Sequence, residues 1–232
     1  MRIGPKLGIT ANQAVHDLPS YTEEFNSLPT LAYQTGIVTN IKVSDLFSLH
    51  SEILYSQRNK SVKSKIVGDY QKEYNRFLSF PLLCRFSYRA GHNELYVNAG
   101  PQVSYWLGGS GKVMTAEVLE NGEEEMHYTI GFSNSNEDHF MVINDPNRLQ
   151  LGLDVGLGAV LPMGPNFLML DIRYSWGHTN MAKSNTSYLP ISFFNDNIRY
   201  THQVLSLSAT YLLDFDFYKM STKGKSSGSK KE

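Results

Sequence analysis

The chain lacks the features that define helical membrane proteins, disulfide scaffolds and nucleic-acid binders. Its 232 residues include one cysteine, Cys84, which excludes a framework of intrachain disulfides. No apolar run approaches the ~18 residues that a membrane-spanning helix needs, although this does not count against a membrane β-barrel. The formal net charge of −1 gives no electrostatic case for nucleic-acid binding.

Signatures of enzymes and metal sites are also scarce. The seven histidines are scattered, without the clustered pairs that are typical of zinc sites. No serine lies in a G-x-S-x-G nucleophile elbow. A catalytic combination of Asp138, His139 and Asp145 has no spacing that stands out from chance. We therefore predict that the protein is not an enzyme and has no catalytic residues, no metal and no cofactor.

What the chain does have is long stretches of alternating apolar and polar residues. In LQLGLDVGLGAVL, residues 149–161, every odd position is apolar and the even positions include three glycines and Asp154. Because successive side chains of a strand point to opposite faces, this segment has one apolar face and one small or charged face. Each alternating segment reaches the ~9–11 residues of a tilted transmembrane strand. The eight segments are residues 2–11, 31–43, 48–57, 76–88, 94–107, 149–161, 167–177 and 201–215.

The connections between these segments alternate in length. Tight links are built on SDLF, RAGHN and PMGPN, whereas residues 12–30, 58–75, 108–148 and 178–200 form long links. Short turns at one end and long loops at the other are the layout of outer-membrane barrels, whose short turns are periplasmic. The predicted fold class is all-β, an eight-stranded antiparallel up-and-down transmembrane β-barrel with both termini in the periplasm.

This fold places the protein in the bacterial outer membrane. We expect that an export signal, which is not seen before Arg2, is removed from the mature protein. Pro81 and Pro101 lie inside predicted strands, where the missing N–H group leads us to expect local bulges.

The composition of the two faces indicates which one contacts lipid. Glycines, small hydroxyl residues and polar residues such as Lys42, His50 and Asn98 share one face. A solvated outer face would favour long charged side chains instead, so we assign the apolar face to lipid and the mixed face to the lumen. Tyrosine and tryptophan near strand ends on the apolar face fit the aromatic girdles of membrane barrels. The alternative is an ordinary sandwich whose core these aromatics fill.

Charged residues on the lumen face need partners, because a buried unpaired charge is costly. The interior of an eight-stranded barrel is just wide enough for side chains, so we predict a structural network of ion pairs. Asp154 and Arg173 are expected to lie opposite or nearly opposite each other on strands joined by the PMGPN turn. A proton or ion pathway through the same residues is the alternative. The predicted lumen charges are Lys6, Glu52, Arg85, Asp154, Asp171 and Arg173.

The long 108–148 link and the C-terminal segment are the most unusual regions. Two β-prone runs flank Asn121-Gly122, a strong hairpin signal, so we expect a hairpin that projects above the membrane. Residues 216–232 are basic and rich in glycine and serine, which predicts a disordered periplasmic tail after a barrel of residues 1–215. The tail is either a solvated end or a tether to a partner. The link also contains five glutamates, which form either a solvated surface or a surface that binds a partner or a cation. They are Glu117, Glu120, Glu123, Glu124 and Glu125.

Two neighbouring strands carry a family resemblance. RFLSFPLLCRFSY followed by ELYVNAGPQVSYWLGG resembles the PorT-type outer membrane β-barrel family of the Bacteroidetes, and the opening IGPKLGITAN is similar to that family's first strand. The resemblance covers residues 2–215. The residues that carry it are Phe77, Pro81, Leu82, Leu83, Asn98, Ala99, Gly100 and Pro101.

The resemblance implies a structural or accessory role in an envelope complex such as the type IX secretion system. The implied partners are outer-membrane lipid and other envelope or secretion-system proteins, with no nucleic acid. The family has no known catalytic residues to carry over. A surface-exposed adhesion or interaction protein that acts through its long loops, and a narrow solute or ion channel, are the alternative functions.

Overall fold

The fold consists almost entirely of β-strands. The structure is a computed structural model that describes residues 1–65, 68–115, 125–132, 140–143, 145–183, 187–188 and 199–215. One helix of six residues, α1 (Pro19–Glu24), accompanies the strands. In the part of the chain that the structure describes, no helix is long and apolar enough to cross a membrane. The strands are β1 (Arg2–His16), β2 (Phe25–Ser27), β3 (Thr30–Lys42), β4 (Phe47–Ser64), β5 (Tyr70–Ala90), β6 (Asn93–Met114), β7 (Met126–Gly131), β8 (Phe140–Ile143), β9 (Leu149–Met163), β10 (Asn166–Gly177), β11 (Ser187–Tyr188) and β12 (Tyr200–Asp214).

Eight of these strands close a ring of antiparallel pairs. The ring runs β1, β3, β4, β5, β6, β9, β10 and β12, and β12 pairs back with β1 over 13 residue pairs from Arg2↔Asp214 to His16↔Tyr200. Every ring strand pairs with the next ring strand along the chain, which is the up-and-down arrangement. The predicted eight-stranded antiparallel barrel is confirmed.

One end of the barrel, called here the short-turn end, carries the tight connections and both chain ends of the ring. Gly91 and Gly164 adopt positive φ angles of 63° and 62° in two of the turns, a conformation that glycine adopts without steric cost. Met1 N donates to Phe215 O at 3.0 Å and Phe215 N donates to Met1 O at 2.8 Å. Lys42 was assigned above to the lumen face, but its side chain is exposed at this end. Its Nζ donates to Asp45 Oδ1 at 2.8 Å, and this contact lowers the pKa of Asp45.

At the opposite, long-loop end the strands run further than the sequence predicted. Residues 58–75 were expected to form a long link, but β4 continues to Ser64 and β5 begins at Tyr70. β6 reaches Met114 and pairs antiparallel with β7 on either side of Asn121-Gly122, which itself lies outside the described residues. Beyond the ring, β8 pairs with β7 and β11, and β2 pairs with β4. The barrel sheet therefore continues as an extension above the ring.

The prolines do not produce the predicted bulges. Pro81 faces Gln102 and Pro101 faces Leu153, each in the register of the surrounding ladder. Proline removes one ladder donor but does not require an extra residue, so the expectation was wrong. The irregularity lies instead where β6 inserts Leu107 between the pairs Phe77↔Trp106 and Arg76↔Gly108. Gly108 there has a φ of 122°, which favours glycine.

The two faces of the strands point as predicted. On β9 the side chains of Leu149 and Val155 are 60% and 53% exposed, whereas Asp154 between them is fully buried. The outer aromatics Tyr88, Tyr174 and Trp176 are exposed near strand ends. Since the long apolar stripes lie on the outside of a closed ring, the alternative of a sandwich core was wrong.

Candidate functional site in the lumen

Glu52 on β4 is the centre of a buried ionic network in the lumen. Arg173 on β10 reaches across the barrel and donates to the two Glu52 oxygens at 2.8 and 2.9 Å. Lys6 Nζ on β1 donates to Glu52 Oε1 at 2.9 Å, and His50 Nε2 lies 2.7 Å from the same oxygen. All four side chains are buried. The bidentate, charge-assisted pair of hydrogen bonds between Arg173 and Glu52 is of a kind that is short and geometrically specific.

Asp171 shares the cations Arg173 and Lys6 with Glu52. Its Oδ1 is 3.1 Å from Arg173 Nη2 and 3.7 Å from Lys6 Nζ. Its Oδ2 accepts hydrogen bonds from Tyr96 Oη at 2.9 Å and from Asn98 Nδ2 at 3.2 Å. Asp171 therefore ties β10 to β1 and β6 through the interior.

Asp154 and Arg173 are near each other but not directly opposite. Asp154 faces Ser175 in the β9–β10 ladder and Arg173 faces Gly156, so the two residues are diagonal neighbours. Asp154 Oδ2 lies 3.6 Å from Arg173 Nη1. The main partner of Arg173 is Glu52, on a strand that does not pair with β10, and a ladder register read from sequence gives no signal for it.

Arg85 is the third cation of the network. Its guanidinium lies 3.8 Å above the Tyr96 ring, and its Nη2 is 3.4 Å from His50 Nε2 and 3.2 Å from Met169 Sδ. The six predicted lumen residues thus lie together, and Lys6, Arg85 and Arg173 balance Glu52, Asp154 and Asp171 in charge. A neutral cluster is the arrangement in which buried charges cost least.

Apolar layers lie above and below this network. Towards the short-turn end, Val38, Tyr96, Val160, Met169 and Leu212 pack together across the lumen. Between the network and the long-loop end the described residues leave a cavity of about 10 Å³. The upper layer consists of Ala14, Phe77, Trp106, Val113, Met126, Tyr128, Ile130, Met141, Ile143, Met181, Ala182 and Tyr200.

A second polar cluster, centred on Glu73, lies within the extension and escaped the sequence prediction. Glu73 accepts hydrogen bonds from Tyr200 Oη at 3.0 Å and Gln71 Nε2 at 3.0 Å, and lies 3.6 Å from Lys60 Nζ. A strand signal was present in the sequence, because the polar residues Gln71, Glu73 and Asn75 occupy every second position. The polarity of the segment favoured a loop, but here the alternating polar residues face an interior.

The predicted acidic surface is only partly visible. Glu125 holds Lys112 through two contacts of 2.8 and 2.7 Å, and Glu117, Glu120, Glu123 and Glu124 lie outside the described residues. Asp138 and His139 also lie outside them, while Asp145 is exposed. Within the described ranges, no group of three or more histidine, cysteine or acidic side chains has an arrangement that could hold a metal ion.

Comparisons with known proteins agree with this architecture. Residues 1–183 match the family model described as the outer membrane protein β-barrel domain. No curated protein matches the chain.

Solved structures with a similar arrangement of strands are distant in sequence. OprG from Pseudomonas aeruginosa is 12% identical over 91% of this chain and 91% of its own, with a TM-score of 0.48. Neisserial surface protein A is 14% identical over 90% of this chain and 95% of its own, with a TM-score of 0.39. The outer membrane enzyme PagL is 11% identical over 90% of this chain and 99% of its own, with a TM-score of 0.36. Since all three TM-scores are below 0.5, these similarities support no argument about activity.

Proposed function

Since the chain belongs to the outer membrane protein β-barrel domain family, whose place is the bacterial outer membrane, we propose that it is a non-enzymatic structural or accessory component of an envelope complex. The observation that carries this proposal is the filled lumen. Side chains of the described residues occupy the interior from the apolar layer around Met169, through the network around Glu52, to the layer around Trp106. A barrel filled in this way offers its outer surface and its two ends, rather than its interior, for interactions.

The type IX secretion system is the envelope complex that we propose for this role. The support is the resemblance of the β5 and β6 sequences to the PorT-type family, carried by Pro81, Asn98 and Pro101 among others. The test is a deletion strain in which secretion of type IX cargo is measured. Secretion should be lost on deletion and restored by the intact chain. Unchanged secretion in the deletion strain would rule out this role.

A surface interaction protein is the second candidate, and the extension favours it. β5 and β6 contain 21 and 22 residues, about twice the ~9–11 that cross a bilayer. On the outward face of β5, Leu78 is followed towards the long-loop end by the exposed residues Arg76, Tyr74 and Lys72. Because charged side chains enter this face above Leu78, we infer that the upper part of the sheet stands in water. Deletion of residues 117–125 distinguishes the two candidate functions. A secretion role that depends on periplasmic contacts survives this deletion, whereas adhesion through the loops is lost.

A narrow channel is the function that the filled lumen favours least. Planar-bilayer recordings of the intact protein should show negligible conductance, and the double variant Asp154→Asn/Arg173→Gln should remain non-conducting. A measurable conductance that changes in the double variant would instead support an ion pathway through the network.

A further inference from the structure

In the part of the chain that the structure describes, the buried charges of the barrel do not sum to zero. Among the described residues, the buried basic side chains outnumber the buried acidic ones by five to four, with histidines counted as neutral. The network around Glu52 is neutral, and Lys60 pairs with Glu73 at 3.6 Å. The remaining cation is Arg58. The buried charged side chains are Lys6, Arg58, Lys60, Arg85, Arg173, Glu52, Glu73, Asp154 and Asp171.

Among the described residues, the hydrogen bonds of the Arg58 side chain on β4 go to neutral groups. Its Nη2 donates to Ser104 Oγ at 2.9 Å, Ser79 Oγ at 3.1 Å and Gln102 Oε1 at 3.3 Å. Its guanidinium lies 4.6 Å from the centre of the Phe77 ring. In the part of the chain that the structure describes, no carboxylate forms an ion pair with it within 4 Å. These contacts supply no opposite charge. The acid that acts electrostatically on Arg58 is Asp154, whose ion pair is with Arg173, so the Arg58 guanidinium is only partly compensated.

The cavity beside Arg58 is also bordered by the side chain of His202, whose ring nitrogens make no hydrogen bond to the described residues. It is lined by Arg58, Gln102, Gln150, Ser175 and His202, among others. His202 is 2% exposed, and neither ring nitrogen has a hydrogen-bond partner among the described residues. A neutral imidazole carries one N–H donor, so the cavity is bordered by a cation and by an unused donor.

We propose that this cavity binds one small monovalent inorganic anion, of the size of chloride, between Arg58 and His202. Such an ion accepts hydrogen bonds from both groups and brings the buried charges of the described residues to a total of zero. The volume of about 10 Å³ corresponds to roughly one water-sized particle, so phosphate, sulfate and carboxylate ligands are too large. The ion is structural and independent of the accessory role proposed above. A water molecule in its place would satisfy His202 without compensating Arg58.

The first test measures the stability of the folded barrel against chloride. The purified protein in detergent is heated, and the midpoint of the loss of its fast-migrating form on gels is followed as chloride replaces gluconate at constant ionic strength. Above the dissociation constant, each tenfold rise in chloride should raise the midpoint by about 3–5 °C.

The variants identify the site. Arg58→Gln should remove the chloride dependence. Arg148→Gln should retain it, because Arg148 packs on Tyr105 and Phe132, 4.6 and 4.4 Å from their ring centres, outside the cavity. The same chloride dependence in Arg58→Gln as in the intact protein would overturn the proposal.

The second test needs no variant, so it holds even if Arg58→Gln does not fold. Crystals of the intact protein grown or soaked in bromide should show an anomalous peak within hydrogen-bond distance of Arg58 and His202. Density for water alone at this place, without anomalous signal, would show that the cavity holds solvent and that the proposal is wrong.

Discussion

At the scale of single residues, the acidic residues of the lumen differ in how many close contacts they make with the buried cations. Glu52 contacts Arg173, Lys6 and His50 within 2.9 Å, whereas Asp154 has one ion-pair contact, at 3.6 Å from Arg173. We predict that Glu52→Gln lowers the free energy of unfolding by about 3–5 kcal/mol, because it leaves buried cations uncompensated. Asp154→Asn should cost clearly less. The measurement is denaturant unfolding in lipid vesicles, and equal losses for the two variants would contradict the central position of Glu52.

Gly158 is a second residue whose role can be isolated. A Cβ atom at Gly158 would lie 2.1 Å from the backbone oxygen of Leu170 and 2.4 Å from Tyr96 Oη, so both the backbone of β10 and the Tyr96 ring crowd this position. Gly158→Ala should destabilise the barrel by about 1–3 kcal/mol, as is usual for overpacking. Gly68→Ala is the matched control, since a Cβ there meets nothing within 4 Å. A loss in the control as large as that in Gly158→Ala would show that crowding at Gly158 is not the cause.

The sequence was sufficient to place the lumen charges on the correct face but not to pair them. Alternation along each strand decides whether Glu52 or Arg173 points inwards. Which of them meet depends on how the ring closes, and β4 and β10 lie across the lumen from each other without pairing. The same limit applies to His202 and Arg58, which come together only across the interior.

At the scale of elements, the outward face of β9 makes a prediction about depth in the bilayer. Val155 lies at the middle of the exposed apolar series and Leu149 at its end near the long-loop side. Val155→Arg should cost about 2–4 kcal/mol of folding free energy in lipid vesicles, and Leu149→Arg only about 0–1 kcal/mol. Both variants keep the lumen unchanged, so Leu149→Arg controls for the added charge. Equal costs would mean that the apolar band is not centred on Val155.

The predicted elements were accurate where one face of the strand is apolar, and failed where both faces carry polar residues. The eight segments agree with the ring strands because lipid requires an unbroken outer stripe. Above the membrane this requirement ends, so the sequence from Arg58 to Asn75 resembles a polar loop. β4 and β5 nevertheless continue there, where Gln71 Nε2 donates to Tyr128 Oη and Glu73 accepts from Tyr200 Oη, both from distant parts of the chain.

At the scale of the whole molecule, ring closure depends on the pairing of the first and last strands. Along the seam, Ile3 faces Leu213 and Arg2 faces Asp214, and Met1 and Phe215 exchange the last two hydrogen bonds. The ladder of the described barrel is therefore complete at Phe215, and residues 216–232 are proposed to be a separate tail.

This division predicts how the protein responds to shortening at its C-terminus. A chain that ends after Phe215 keeps every seam pair. Its free energy of unfolding should therefore stay within about 0.5 kcal/mol of that of the intact protein, and its unfolding midpoint should be unchanged. A chain that ends after Thr210 loses the pair Ile3↔Leu213 together with the side chain of Leu212, which is fully buried in the lower apolar layer. It should unfold at a lower midpoint or fail to form the fast-migrating barrel on gels. If shortening to Phe215 is as harmful as shortening to Thr210, the tail contributes to the barrel and the boundary at Phe215 is wrong.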